Sequence, residues 1–175
     1  MHKVVVLSFL FLFCCSRVDL ANAQKGDDVF TIYLVRHSEK ELNINNPSDP
    51  PLNSCGVQRA EHLRNFLYDV HLNAVYSTDY LRTKNTALPT ALSKRLPIKI
   101  YNPGDLEAFS SLLLEAKQDV LVVGHSNTTG VLAGLLVGEN LGSFDESIYE
   151  RIYKVVVYKN KGQLHLLYSS FDCTD

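Results

Sequence analysis

Two histidines and two arginines fall where strands should end. Arg36-His37-Ser38-Glu39 directly follows the apolar run Phe30 to Val35, and Gly124-His125-Ser126-Asn127-Thr128 directly follows Asp119 to Val123. Arg82 closes the stretch Tyr76-Ser77-Thr78-Asp79-Tyr80-Leu81-Arg82-Thr83, behind a third short apolar run. Open α/β sheets assemble ligand sites at strand ends, so the four side chains can converge on one anion. A guanidinium offers paired donors matched to phosphate and stays charged at any relevant pH. Nearby guanidinium charge keeps an imidazole neutral, the form that attacks phosphorus. The indicated chemistry is phosphoryl transfer. His37 is the candidate nucleophile, Arg36 and Arg82 are candidate phosphate ligands, and His125 is a candidate donor to the transferring group. The plainer alternatives are surface salt bridges for the arginines and structural hydrogen bonding for the histidines. Ser126, Asn127 and Thr128 either add hydrogen bonds to the anion or cap a helix.

The elements that must position these residues alternate between strand and helix. Val29 to Val35 is β-branched and aromatic with near-continuous hydrophobicity, as in a central strand covered on both faces. Ala60, Leu63, Phe66 and Leu67 mark a helix over Gly56 to Tyr68, with Ser54 in its N-cap region. Asn73 to Tyr76 reads as a short strand, followed by a helix Tyr80 to Arg95 capped by Asp79 and kinked by Pro89. Ile98 to Tyr101 is a strand. Pro103-Gly104-Asp105 turns into a helix Leu106 to Ala116, and Asp119 to Val123 is a buried strand. A small-residue helix spans Asn127 to Val137. Arg151 to Tyr158 and Gln163 to Ser169 pair as a hairpin around Asn160-Lys161-Gly162. This order predicts a three-layer α/β/α sandwich with a mainly parallel sheet and an antiparallel C-terminal hairpin.

A chain of 175 residues suits one domain. Lys3, the apolar run Val4 to Cys15 and Ala21-Asn22-Ala23 have the layout of a secretory signal cleaved after Ala23, leaving a domain over 24–175. The apolar run is shorter than the roughly 20 residues that span a bilayer. Phe13 and Cys14 are poor neighbours for lipoprotein processing at Cys14 or Cys15. The expectation is an exported protein, periplasmic or extracellular, with no stable membrane insertion. Cys55 and Cys173 remain, able to form one disulfide in an oxidising compartment or to stay separate thiols. Neither has the spacing of a zinc or Cys-x-x-Cys redox site. A net charge of −2 without a basic run argues against nucleic acid as a partner. Glu39 to Ser54 is a long polar connection of the sort that borders sites.

Arg36-His37-x-Glu39, the block Ser77 to Arg82-Thr83-x-x-Thr86-Ala87, and Gly124-His125-Ser126 together resemble the histidine phosphatase superfamily, in the branch with phosphoglycerate mutases. Asp49-Pro50-Pro51-Leu52-Asn53-x-x-Gly56-x-x-Arg59-Ala60 is similar to the segment that follows the first motif in small members. The resemblance implies a phosphorylated His37, a phosphate pocket completed by Arg36, Arg82 and His125, and no metal or organic cofactor. It also implies a carboxylate acid downstream of the second arginine. Asp105 is taken for that role, with Glu107 as rival and Glu39 as a third candidate that otherwise orients its loop or pairs with Arg36 or Lys40. The N-cap of a helix is the plainer role for Asp105. The expected function is a phosphomonoesterase acting on a small phosphorylated substrate through phosphohistidine. The alternatives are a noncatalytic anion-binding domain of the same fold and a phosphomutase.

Overall fold

Central strand β1 (Val29–Arg36) sends Phe30, Ile32 and Leu34 to one face and Tyr33 and Val35 to the other, all of them buried. A period-two chain that is apolar on both faces must be covered on both. Helices α1 (Ser54–Phe66) and α2 (Leu81–Lys94) cover the Tyr33 face through Leu63, Ala87 and Ala91. Helices α3 (Leu106–Ala116) and α4 (Thr129–Val137) cover the Phe30 face through Phe109, Leu113, Leu132 and Leu136. The computed structural model describes residues 29–43 and 48–173, so the signal expected at 1–23 lies outside the described residues. Among the described residues, no helix is long and apolar enough to cross a membrane.

The sheet has six strands, completed by β2 (Ala74–Ser77), β3 (Ile98–Ile100), β4 (Val120–Gly124), β5 (Arg151–Tyr158) and β6 (Lys161–Tyr168), in the order β3-β2-β4-β1-β5-β6. The first four strands are parallel. β5 runs antiparallel to β1, and β6 to β5. This is the three-layer α/β/α sandwich with an antiparallel C-terminal hairpin that the alternation predicts. β1 leads into α1 on one face, and β4, its neighbour, leads into α4 on the other. The gap beyond their C-terminal ends is therefore a topological switch point, where such sheets place ligands.

Three local expectations shift. The α1 cap is Asn53, whose side chain accepts from Gly56 N, rather than Ser54. Asp79 does not cap α2. It pairs with Lys84 at 2.7 Å, and the N–H of Leu81 donates to Asp49, brought in from the preceding loop, at 2.8 Å. α2 runs through Pro89, as the sequence predicts. The hairpin turns at Lys159-Asn160, both left-handed (φ 47° and 61°), one residue before the expected turn. Two residues with positive φ match the twist of paired strands, and Asn tolerates that region. Gly162, which suggests a turn, lies in β6, where a Cβ would come within 2.4 Å of the Leu136 carbonyl oxygen.

Candidate active site

The parallel pairing of β1 with β4 sets Arg36 opposite Gly124, and the His37 N–H extends the ladder to the Gly124 carbonyl at 2.9 Å. His37 and His125 consequently leave adjacent strands at the same level, with ring centroids 5.5 Å apart. Both line a pocket of about 420 Å³ together with Arg36, Arg82, Lys40 and Glu146. Tyr80, Pro103 and Gly104 complete one wall, and Ser126, Asn127 and Thr128 another. The four residues singled out at strand ends therefore meet in one cavity.

His37 is 4% exposed, and its Nδ1 lies 2.8 Å from the Ser38 carbonyl oxygen. A carbonyl only accepts, so Nδ1 carries the proton and Nε2 of the neutral ring keeps its lone pair. Burial lowers the His37 pKa to about 3, with Arg36, His125 and Arg82 adding to the depression against the opposing Ser38 bond. His125 is lowered to about 4, again by burial first and then by Arg82, Arg36 and Lys40. Thr78 Oγ1 lies 3.0 Å from His125 Nε2 and 2.9 Å from Thr83 Oγ1 on α2, fixing the second ring from behind. The edge of the Tyr80 ring meets His125 at 5.2 Å between centroids.

The arginines are held without being used up. Arg36, with its side chain 2% exposed, donates through Nη1 to the Glu146 carbonyl and lies 4.3 Å over the Tyr149 ring, while its Nε has no partner. Arg82 sits in the first turn of α2, 4.4 Å over the Tyr80 ring and 3.7 Å from Asp49. Its Nε and Nη1 are buried without hydrogen bonds. Buried guanidinium nitrogens without acceptors are costly unless a ligand supplies them. At the α4 entry Thr128 Oγ1 accepts from His125 N at 2.9 Å, and the N–H groups of Thr128 and Thr129 donate to the His125 carbonyl.

The loop after His37 is braced from two helices. Ser38 N donates to Thr86 Oγ1 on α2 at 2.9 Å. Glu39 forms a bidentate pair with Arg59 of α1, the shortest contact being 2.7 Å, rather than pairing with Arg36 or Lys40. Gly56 passes so close to this loop that a Cβ would come within 2.1 Å of the Glu39 carbonyl oxygen. Cys55 and Cys173 are joined as a disulfide, with Cα atoms 5.6 Å apart.

Asp105 accepts from Ala108 N as the N-cap of α3 and is exposed, as is Glu107. Neither lines the pocket, although Pro103 and Gly104 just before them do. The carboxylate that does line it is Glu146, whose Oε2 lies 4.0 Å from Arg36. Sequence reading passed over Glu146, Lys40, Tyr80 and Tyr149. Of these, only Lys40 and Tyr80 carried a signal, each lying within three residues of a motif histidine or arginine.

Residues 32–102 match the model of the histidine phosphatase superfamily (branch 1). No curated protein sequence matches the chain. Among solved structures, the fold is similar to that of the protein histidine phosphatase SixA complexed with tungstate, at TM-score 0.66 and 21% identity over 79% of this chain and 97% of that one. The alpha-ribazole phosphatase from Shigella flexneri gives 0.67 and 18% over 83% and 100%. A phosphoglycerate mutase from Bacillus anthracis str. Sterne gives 0.56 and 17% over 80% and 93%. At these identities the structural likenesses speak for the fold, while the matched sequence segment runs from within β1 to just beyond β3 and carries the His37 loop and Arg82. The chain thus has the fold of these proteins, and its residues 32–102 are similar in sequence to the histidine phosphatase superfamily (branch 1).

Proposed function

We propose that the protein is an exported phosphomonoesterase that works through a phosphohistidine on His37. The observation that supports this most directly is the unprotonated Nε2 of a buried, neutral His37 beside two arginines whose inner nitrogens lack acceptors. A phosphoryl group entering the pocket supplies those acceptors. The Nε2 lone pair attacks phosphorus in line, forming an N–P bond as the bond to the leaving oxygen breaks. Glu146, the carboxyl group lining the pocket, gives that oxygen its proton in place of Asp105. Water then attacks phosphorus, Glu146 takes a water proton, the N–P bond returns its electron pair to Nε2, and inorganic phosphate leaves. Arg36, Arg82 and His125 stabilise charge on the transferring oxygens in both steps, the main source of rate in such sites.

Export is supported by the N-terminal pattern of Lys3, Val4 to Cys15 and Ala21-Asn22-Ala23, and by a disulfide, a bond that persists in oxidising compartments. Mass spectrometry of the protein recovered outside the cytoplasm tests this, with Gln24 as the expected first residue. The activity is tested by phosphate release from a panel of phosphomonoesters without added metal, for the protein and for His37→Ala. Turnover lost in the variant, with an acid-labile phosphoenzyme trapped only in the parent, is the expected result. Phosphate binding without turnover on any ester would instead favour an anion-binding domain.

A further inference from the structure

We propose that Lys40 forms a second anion subsite in the same pocket, selecting phosphate esters whose leaving group carries a further negative group, a carboxylate or a second phosphate. This rests on the phosphatase reading and adds a substrate class to it.

Three cations, Arg36, Arg82 and Lys40, line the cavity with one carboxylate, Glu146, and both histidines are neutral. Glu146 is already beside Arg36 at 4.0 Å, and Asp49 faces Arg82 from outside the pocket at 3.7 Å. A phosphate dianion answers the two arginines. Lys40 is left over. Among the described residues its ammonium makes no ion pair, because the carboxylates beside it in sequence are otherwise engaged. Glu39 is held by Arg59, and Glu41 Oε1 accepts from the backbone N–H groups of Leu42 and Asn43.

The backbone of Lys40 is also held in place. Its backbone bridges to Leu52, flanked by bonds from Asn53 N to the Glu39 carbonyl (3.1 Å) and from Glu41 N to the Pro51 carbonyl (2.9 Å). With the Gly56 contact behind it, the loop presents the lysine to the cavity from a fixed point on the wall. Its charge reaches His125 and helps to keep that ring neutral.

The test uses unreactive probes at low ionic strength, where screening is weak. Calorimetric affinities are measured for methylphosphonate, phosphonoacetate and methylenediphosphonate with the parent, Lys40→Met and Lys40→Arg, after melting curves establish that all three are folded. The parent is expected to prefer a doubly anionic probe over methylphosphonate by about tenfold, the size of a partly shielded charge-assisted contact. That ratio should fall to near one in Lys40→Met and return in Lys40→Arg. Whichever of phosphonoacetate and methylenediphosphonate binds more tightly identifies the second group. Equal affinities in the parent, or a preference that survives Lys40→Met, would overturn the proposal. Turnover on phenyl phosphate is followed in parallel. A Lys40-dependent preference without turnover would keep the subsite and remove the phosphatase reading, and turnover without a preference would do the reverse.

Discussion

His37 is neutral because it is buried between cations, and that has a measurable consequence for stability. Its folded pKa of about 3, like the value of about 4 for His125, lies below the ordinary 6.5. Between those limits the unfolded chain binds protons that the native state refuses, so stability is complete above pH 6.5 and falls as pH drops toward 4. Each histidine contributes a slope of about 1.4 kcal/mol per pH unit in that window. Urea denaturation at pH 7 and pH 5 should show the loss, and a smaller one in His37→Asn. Activity behaves oppositely: at pH 5 the nucleophile is still unprotonated, so the acid limb of kcat/KM must come from another group. A second prediction separates the two carboxylates. Glu146→Gln should slow hydrolysis of alkyl phosphates by about 10²-fold or more, the usual worth of a positioned acid, and slow p-nitrophenyl phosphate less. Asp105→Ala should keep turnover and cost about 1 kcal/mol of stability as a lost helix cap. The basic quartet of the site was legible because each member follows a hydrophobic run in the sequence. Glu146 was not, because its place in the pocket depends on how the segment before β5 folds back against Arg36, which no local pattern encodes.

At the scale of elements, α2 acts as more than a cover for the sheet. Its Arg82 enters the pocket, its Thr83 meets Thr78 behind His125, and its Thr86 accepts the Ser38 N–H beside His37. The threonines in the Arg82-Thr83-x-x-Thr86 stretch thus hold the loops that carry the two histidines. Thr86→Val keeps the shape but leaves a buried N–H without an acceptor, at a cost of about 1–3 kcal/mol. We expect a lower urea midpoint together with reduced kcat, and Thr86→Ser should restore both; an unchanged kcat would separate this bond from catalysis. The central strands were readable from hydrophobic period, since the buried apolar residues of β1, β2 and β4 alternate between the two core layers. Boundaries that rest on distant partners were not. Asp79 is the nearer candidate cap for α2, yet Asp49 reaches Leu81 N from 32 residues away. Likewise Gly162 suggested the turn that Lys159 and Asn160 make, because its smallness serves a close approach to α4 instead.

Across the whole molecule, the C-terminal tail is tied to the loop beside the nucleophile. The Cys55–Cys173 disulfide fastens the tail to α1 across 118 residues of sequence. Phe171 then offers its carbonyl to Arg59 Nη1 at 3.2 Å and its ring to the same guanidinium at 4.9 Å. Arg59 in turn grips Glu39, two residues after His37. Closing a loop of that length removes unfolded-state entropy worth about 5 kcal/mol in the chain-entropy model, a large share of a typical domain's stability. Replacing both cysteines by serine should therefore lower the urea midpoint steeply. Adding dithiothreitol should do the same to the parent and nothing further to the variant. The tail also predicts a second effect. Once Phe171 is free to leave, Arg59 loses two contacts on its outer side while keeping Glu39, so the loop loosens without losing its ion pair. The expected result is a moderate fall in kcat at temperatures where the serine variant is still fully folded. Arg59→Met, which releases Glu39 outright, should lower kcat further. If the serine variant melts early but turns over at the parental rate below its melting range, the disulfide stabilises the fold without positioning the catalytic loop. If its kcat falls as well, the tail, α1 and the His37 loop work as one mechanical unit.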